Sequence, residues 1–224
     1  YNRRIHGFDA ERHLVRVPSG VVLDQLNACL KPYGYWFGPD VATSSRATLG
    51  GMIANNSSGV RAPVYGTTAD HLVSLEVVFA DGHVQQIGAD GDLSPELRRA
   101  VDTVVDRYAS AIHQGFPEGL LKRWPGYGLD RYLRKGRNLT QIISGSEGTL
   151  AAILWAELTV VPIPRKKGLG LVFFSSVTEA VQATTELFPL TPVAIEHIDR
   201  PLFDQTRGHP AFKEARDLLR LDDQ

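Results

Sequence analysis

The chain has 224 residues, of which 43% are hydrophobic and 22% are charged, and its formal net charge is −1. These values are those of a globular protein and give no electrostatic case for binding nucleic acid or an anionic membrane surface. The single cysteine, Cys29, excludes a disulfide framework or a cysteine-built metal site within this chain. Cys29 lies in an apolar run, which favours a buried structural thiol over a nucleophile.

The first part of the chain shows a strand pattern followed by a helix pattern. Residues 11–17 alternate weakly and predict a strand. Residues 21–33 place Val22, Leu26 and Leu30 at the four-residue spacing of an amphipathic helix. No apolar run in the sequence approaches the roughly twenty residues that cross a bilayer.

The middle of the chain contains the clearest hairpin and then a helix. Residues 71–80 and 83–87 are strand-like, and Asp81-Gly82 between them predicts a type I′ turn. Ser94 and Pro95 have the residue types of a helix start, and we expect this helix to continue to about residue 113.

A boundary is predicted near the end of a long β-branched strand, residues 151–161. This strand is followed by Pro162-Ile163-Pro164, so we expect one domain at residues 1–164 and a second at 165–224. The second segment predicts strands at 169–174 and 193–198 and helices at 178–188 and 210–221. This β-α-β-α order indicates the start of a ferredoxin-like layer.

Two glycine-rich stretches carry the most functional information. Gly38 to Gly59 combines glycines with hydroxyl and amide side chains, and Gly145 to Leu150 repeats that character. Glycine permits positive φ and close approach of the backbone, and exposed N–H groups of such turns bind anions or polar heterocycle edges. Composition alone favours an ordinary surface loop for either stretch, but two such stretches strengthen the functional interpretation.

Six pieces in this order resemble the PCMH-type FAD-binding domain of the vanillyl-alcohol oxidase superfamily. The resemblance is closer to the branch of D-lactate, glycolate and D-2-hydroxyglutarate dehydrogenases. The pieces are Gly38–Asp40, Thr48–Gly59, Tyr65–Gly66, Leu75–Gly82, Gly126–Leu129 and Gly145–Leu150.

The resemblance implies an α+β fold. Residues 1–164 would be the second subdomain of the FAD-binding domain, a mixed or antiparallel sheet flanked by helices. Residues 165–224 would begin a ferredoxin-like substrate or cap domain. We therefore expect a fragment that lacks the first FAD subdomain and most of the cap.

The resemblance also implies which residues bind FAD. Neither glycine-rich stretch supplies the His or Cys of a covalent flavin link, so noncovalent FAD is expected. Asn56 is equally consistent with a helix cap or turn, and Glu147 is more consistent with fixing its loop than with a catalytic base. The catalytic residue stays unassigned, and no metal site is predicted. The predicted cofactor-binding residues are Pro39, Asp40, Thr48, Gly50, Gly51, Asn55, Asn56, Gly59, Gly145, Gly148 and Ile153.

The function implied is an FAD-linked dehydrogenase. It would oxidise a 2-hydroxy acid such as D-lactate, glycolate or D-2-hydroxyglutarate by hydride transfer to flavin N5. The expected partners are the substrate and an electron acceptor or iron–sulfur module. The expected location is the cytoplasm, and peripheral association with the inner membrane is an alternative. The alternatives are an oxidase of a sugar or aromatic alcohol and an inactive cofactor-binding or scaffold fragment; we expect the fragment alone to be inactive.

Overall fold

The computed structural model describes residues 5–88, 93–116, 119 and 126–219. The chain divides into two units, Tyr1–Pro164 and Arg165–Gln224. The strands, all in the first unit, are β1 His6–Asp9, β2 Leu14–Pro18, β3 Tyr35–Trp36, β4 Leu72–Val78, β5 Val84–Gly88, β6 Ala152–Thr159 and β7 Val161–Pro162. The helices are α1 Leu23–Leu30, α2 Leu49–Asn55, α3 Ala62–Tyr65, α4 Pro95–Arg107, α5 Ala109–Gly115, α6 Leu129–Arg134, α7 Thr140–Ile143, α8 Val177–Leu187, α9 Arg200–Asp204 and α10 Lys213–Leu219.

A five-stranded antiparallel sheet organises the first unit, in the order β1-β2-β6-β4-β5. Strand β6 comes last of these in the chain but lies at the centre of the sheet. It pairs with β2, where Val17 is opposite Ala156, and with β4, where Leu75 is opposite the same residue. This sheet with its flanking helices confirms the predicted α+β class.

The core lies between the sheet and the helices that cover it. Helix α1 contributes Leu23, Leu26 and Leu30, and helix α2 contributes Leu49, Met52 and Ile53. Each of these side chains is at most 2% exposed. Complete burial of a side chain of this size contributes about 1.5–3 kcal/mol to folding, so the apolar face of α2 anchors the glycine-rich stretch that surrounds it.

Helix α1 confirms Leu26 and Leu30 on its apolar face, but its first buried residue is Leu23 instead of Val22, and the prediction of a buried Cys29 is wrong. The buried residues follow the spacing i, i+3 and i+7 from Leu23, whereas Val22 is the N-cap residue. Cys29 is exposed because it lies outside that stripe. Membership of an apolar run therefore did not determine which side of the helix it occupies.

The hairpin forms where it was predicted, but its turn is of a different kind. Val78 pairs with Val84, so five residues separate the strands. The Gly82 N–H donates to the Phe79 carbonyl at 2.9 Å, and Gly82 has a φ of 85°. Asp81 does not share this positive φ, which a type I′ turn requires at both central residues.

The predicted helix from Ser94 forms as two helices instead of one. Helix α4 ends at Arg107, and α5 begins at Ala109. Tyr108 between them has a φ of −108°, which departs from the helical value of about −63°. Ser94 is the N-cap as predicted, and its Oγ accepts from the Leu97 N–H at 3.2 Å.

The described part of the second unit contains helices α8, α9 and α10, joined by 3-10 turns and irregular segments. Helices α8 and α10 confirm two predicted helices, although residues 220 and 221 lie outside the described residues. The strands predicted at 169–174 and 193–198 are wrong, since both segments are non-helical without ladder pairing. Leu169 is 86% exposed and Ile198 is 62% exposed. Because a strand needs a neighbour for its N–H and C=O groups, apolar alternation alone does not form the ferredoxin-like layer.

Asp70 links the turn before β4 to helix α6. Its Oδ1 accepts from Arg131 at 2.5 Å and from Lys135 at 3.2 Å, and its Oδ2 accepts from the Thr67 N–H at 2.9 Å. Partial burial opposes ionisation, but the hydrogen bonds from Arg131 and Thr67 outweigh it. They hold the Asp70 pKa well below its usual range.

We predict that Asp70→Asn lowers the free energy of unfolding at pH 7 by about 2 kcal/mol, because Arg131 and Lys135 lose their anionic partner. The depressed pKa means that Asp70 stabilises the fold above about pH 4 and that this contribution is lost as the pH falls further. Between pH 7 and pH 2.5, the free energy of unfolding measured with urea should fall less for the variant than for the wild type. The exposed Glu11 provides the control, because E11Q should change the pH 7 value by less than about 0.5 kcal/mol. If the free energy of unfolding fell equally with pH in wild type and D70N, this role of Asp70 would be contradicted.

Candidate cofactor-binding site

The first glycine-rich stretch contains helix α2 at its centre. Thr48 is the N-cap, and its Oγ1 accepts from the Gly51 N–H at 3.3 Å. A Cβ at Gly50 would lie 2.6 Å from the Ser19 Cβ. Glycine at position 50 therefore lets the start of α2 pack directly against the turn that follows β2.

The first N–H groups of α2 are already used within the protein. Leu49 donates to the Val21 carbonyl at 2.8 Å, and Gly50 donates to the Ser19 carbonyl at 2.9 Å. With Gly51 bonded to Thr48, this end of the helix has a structural role. Cofactor contact by Thr48, Gly50 and Gly51 stays a prediction.

The other end of α2 is where the two glycine-rich stretches meet. The Gly145 N–H donates to the Ile53 carbonyl at 3.0 Å, and the Glu147 N–H donates to the Ala54 carbonyl at 2.9 Å. The Ser144 Oγ adds a bond to the Ile53 carbonyl at 3.1 Å. The last carbonyls of a helix lack the usual i+4 donors. The Asn56 N–H reaches the Ile53 carbonyl at 3.0 Å, and the second stretch supplies the other donors to Ile53 and Ala54, so it caps the helix of the first. We call residues 53–57 together with 144–149 the junction.

Side-chain hydrogen bonds extend across the junction. Asn55 donates from Nδ2 to Glu147 Oε1 at 2.7 Å, and its Oδ1 accepts from Ser57 Oγ at 3.1 Å. Glu147 thus fixes its loop to α2 in two ways: its carboxylate accepts from the Asn55 amide, and its own N–H donates to the Ala54 carbonyl. Nearby, the Tyr127 hydroxyl lies 2.9 Å from Thr149 Oγ1 and closes the second turn over the preceding loop.

Asn56 is the C-cap of α2, with a left-handed φ of 51°. Its Oδ1 accepts from the Ala69 N–H at 2.9 Å. The cap-or-turn alternative for this residue is therefore what the structure shows, and its side-chain oxygen is already used within the fold.

Gly59 brings the end of the first stretch against its beginning. A Cβ at Gly59 would lie 1.7 Å from the Asp40 carbonyl oxygen. Asp40 pairs through Oδ2 with Arg61 Nε at 3.2 Å, and the Arg61 guanidinium lies over the Trp36 ring at 5.2 Å. The Asp40 Oδ1 is buried and has no hydrogen-bond partner among the described residues. Pro39, just before it, is buried.

Gly148 and Ile153 differ in their surroundings. Gly148 has a φ of 73°, and no heavy atom lies within 4 Å of a Cβ built there. Ile153 pairs with Val77 in the sheet, and its half-buried side chain packs against the core. The prediction for Ile153 is a backbone contact with the cofactor, and the structure leaves it a prediction.

The donors and acceptors at the junction fit a flavin nucleotide. The hydroxyl and amide groups of Asn55, Ser57 and Thr149 lie on the junction. Exposed apolar side chains of Tyr127 and Leu150 flank them. Outside the junction, beside Gly59, Asp40 Oδ1 is a buried acceptor that needs a donor. Such a mixture suits the ring and ribityl hydroxyls, which both donate and accept, better than it suits the anionic pyrophosphate.

Sequence reasoning missed the contributions of Ser144, Ser57 and Thr149. Hydroxyl residues beside glycine were a visible signal, but their partners come from distant segments. Among the described residues, no group of three or more His, Cys, Asp and Glu side chains is arranged to hold a metal ion. Within the same residues, no helix combines the length and apolarity needed to span a membrane.

Part of the chain matches a known family model. Residues 1–88 match the family model described as an FAD binding domain. This match confirms the resemblance drawn from the motifs and indicates FAD as the cofactor. The matched segment includes the whole first glycine-rich stretch, whereas the second stretch lies beyond it.

The relatives make the comparison more specific. The chain is 32% identical to the D-2-hydroxyglutarate dehydrogenase of Escherichia coli (strain K12), over 96% of this chain and 22% of the relative. It is 36% identical to the enzyme of that name from Pseudomonas putida, over 85% of this chain and 20% of the relative. Glycolate oxidase subunit GlcD of Bacillus subtilis is 26% identical over 86% of this chain and 33% of its own length. The chain thus spans about a fifth of the D-2-hydroxyglutarate dehydrogenases that it matches.

We predict that Gly145→Ala is more destabilising than Gly148→Ala. Both glycines have positive φ, which costs a residue with a Cβ about 1–2 kcal/mol. Only at Gly145 would the Cβ meet a backbone atom, the Gly126 carbonyl oxygen at 2.5 Å, and we expect about 1–3 kcal/mol more from this overlap. Denaturant unfolding of both variants measures the difference. Equal losses would show that the second turn does not pack as described.

Gly59→Ala should reduce the free energy of unfolding by about 2–3 kcal/mol, because the added methyl group overlaps the Asp40 carbonyl. Gly115→Ala is the matched control, since no heavy atom lies within 4 Å of its Cβ. We expect that variant to be neutral or slightly stabilised, as alanine favours helix over glycine. If G59A were as stable as G115A, the close approach of Gly59 to Asp40 would be contradicted.

Proposed function

We propose that this chain forms part of an FAD-dependent dehydrogenase that oxidises a 2-hydroxy acid such as D-2-hydroxyglutarate, D-lactate or glycolate. Bound FAD supplies the hydride acceptor, N5 of its isoalloxazine ring. The proposal extends to an electron acceptor or iron–sulfur module as partner and to a cytoplasmic location. It also assigns residues 1–164 to a partial FAD-binding domain and 165–224 to the start of a substrate domain.

The junction is the observation that carries the proposal. It joins two glycine-rich stretches about ninety residues apart into one hydrogen-bonded surface of hydroxyl, amide and backbone groups, to which Glu147 adds a carboxylate. The names of the relatives support the substrate class, because those covering most of this chain are hydroxy-acid dehydrogenases or an oxidase subunit.

We assign the chain's own residues to binding and positioning. Asn55 and Ser57 would present an amide and a hydroxyl to the cofactor, and Asp40 Oδ1 would accept from one of its donor groups. Gly148, which has open space around it, would let the second turn approach the ring. Each of these roles is a hydrogen bond or a contact; none requires a proton to be moved by these residues.

The test is anaerobic reduction of the full-length protein, purified with its flavin. We expect D-2-hydroxyglutarate, D-lactate or glycolate to bleach the visible absorbance band of the oxidised flavin. The L-enantiomers and a simple sugar such as glucose serve as controls. A protein that contains no flavin and takes up none would contradict the cofactor assignment. Bleaching by the sugar but by none of the hydroxy acids would contradict the substrate class.

A further inference from the structure

We propose that Glu147 is a positioning residue, which fixes the orientation of the Asn55 carboxamide at the junction. The inference rests on the proposed function, which assigns Asn55 to the cofactor. Glu147 lies in the second glycine-rich stretch and Asn55 in the first, so the bond between them spans 92 positions in the sequence.

The first step is the chemistry of the pair. An ionised carboxylate has only acceptor atoms, whereas a carboxamide has a donor end and an acceptor end. At 2.7 Å from Glu147 Oε1, the atom of Asn55 must be the donor Nδ2. The acceptor Oδ1 then faces Ser57 Oγ at 3.1 Å. The Glu147 carboxylate therefore fixes the orientation of the Asn55 amide, with Nδ2 toward Glu147 and Oδ1 toward Ser57.

The second step is the backbone at Glu147. This residue has a left-handed φ of 54° between Gly145 and Gly148, which have positive φ as well. A residue with a Cβ in this region costs about 1–2 kcal/mol more than glycine. Two interactions of Glu147 offset that cost, namely the bond from its N–H to the Ala54 carbonyl and the bond of its side chain to Asn55. Only the second depends on the carboxylate.

The third step concerns charge. FAD carries an anionic pyrophosphate, so a carboxylate near its binding site disfavours binding by like-charge repulsion. If Glu147 acted through charge alone, its removal would strengthen binding. If it acts by orienting Asn55, its removal weakens binding instead. The two explanations predict opposite signs.

The experiment compares wild type with E147A, E147Q and E147G in the full-length protein. FAD dissociation constants of the apoproteins are measured by quenching of flavin fluorescence, and apoprotein stability is measured separately by urea unfolding. We expect E147A to weaken FAD binding about tenfold, the effect of losing one hydrogen bond to a charged group. E147Q retains a bond but accepts either amide orientation, so binding should weaken only about twofold, as when half the population is competent.

E147G separates positioning from a purely structural role. Glycine relieves the strain of the positive φ, so the apoprotein should be more stable than E147A. Its FAD affinity should nevertheless be as weak as that of E147A, because both lack the carboxylate. The buried Val105 of helix α4 gives the control: V105A should lower stability and leave the dissociation constant unchanged.

Several results would overturn the inference. E147A binding FAD as tightly as wild type, or more tightly, would show that Glu147 does not position Asn55. Affinity that follows apoprotein stability through all the variants, V105A included, would reduce Glu147 to a structural residue. Wild-type protein that binds no FAD would instead overturn the proposed function, together with this inference that rests on it.

Discussion

The capping of helix α2 by the second glycine-rich turn is the interaction on which the candidate site depends. The Ile53 carbonyl accepts from the N–H of the C-cap residue Asn56 and also from the Gly145 N–H, and the Ala54 carbonyl accepts from the Glu147 N–H. Because these bonds join distant parts of the chain, neither stretch forms the site alone. The same bonds bring Glu147 within hydrogen-bonding distance of Asn55. The capping of the helix and the side-chain contact across the junction therefore depend on the same packing.

The five-stranded sheet supports the second glycine-rich turn. The second turn leads directly into β6, the central strand, which is paired on both sides by β2 and β4. On its other side the turn follows the buried residues Ile142 and Ile143 of α7. The turn is thus fixed at both ends by core packing. Rigid support of this kind is what a binding loop needs in order to position its donors.

Glycine serves two different purposes in the two stretches. Gly50, Gly59 and Gly145 lie where a methyl group would overlap Ser19, Asp40 or Gly126, so their role is close packing within the protein. Gly148 instead has open space around it. The motifs recognised in the sequence therefore combine residues that build the site with residues that have room to approach a cofactor. Both kinds are needed, because the surface exists only when the loops pack closely.

The sequence by itself determined the α+β class, the β4–β5 hairpin, the main helices and the FAD-binding resemblance, because local periodicity and ordered motifs are properties of the chain. Cys29 and the Asp81-Gly82 turn were predicted wrongly, since residue types alone specify neither which side of a helix one residue occupies nor the φ values of a turn. The strands expected at 169–174 and 193–198 required a hydrogen-bonded neighbour, which apolar alternation does not supply. Only the tertiary structure decided that Glu147 meets Asn55, because no local pattern encodes a contact across 92 positions.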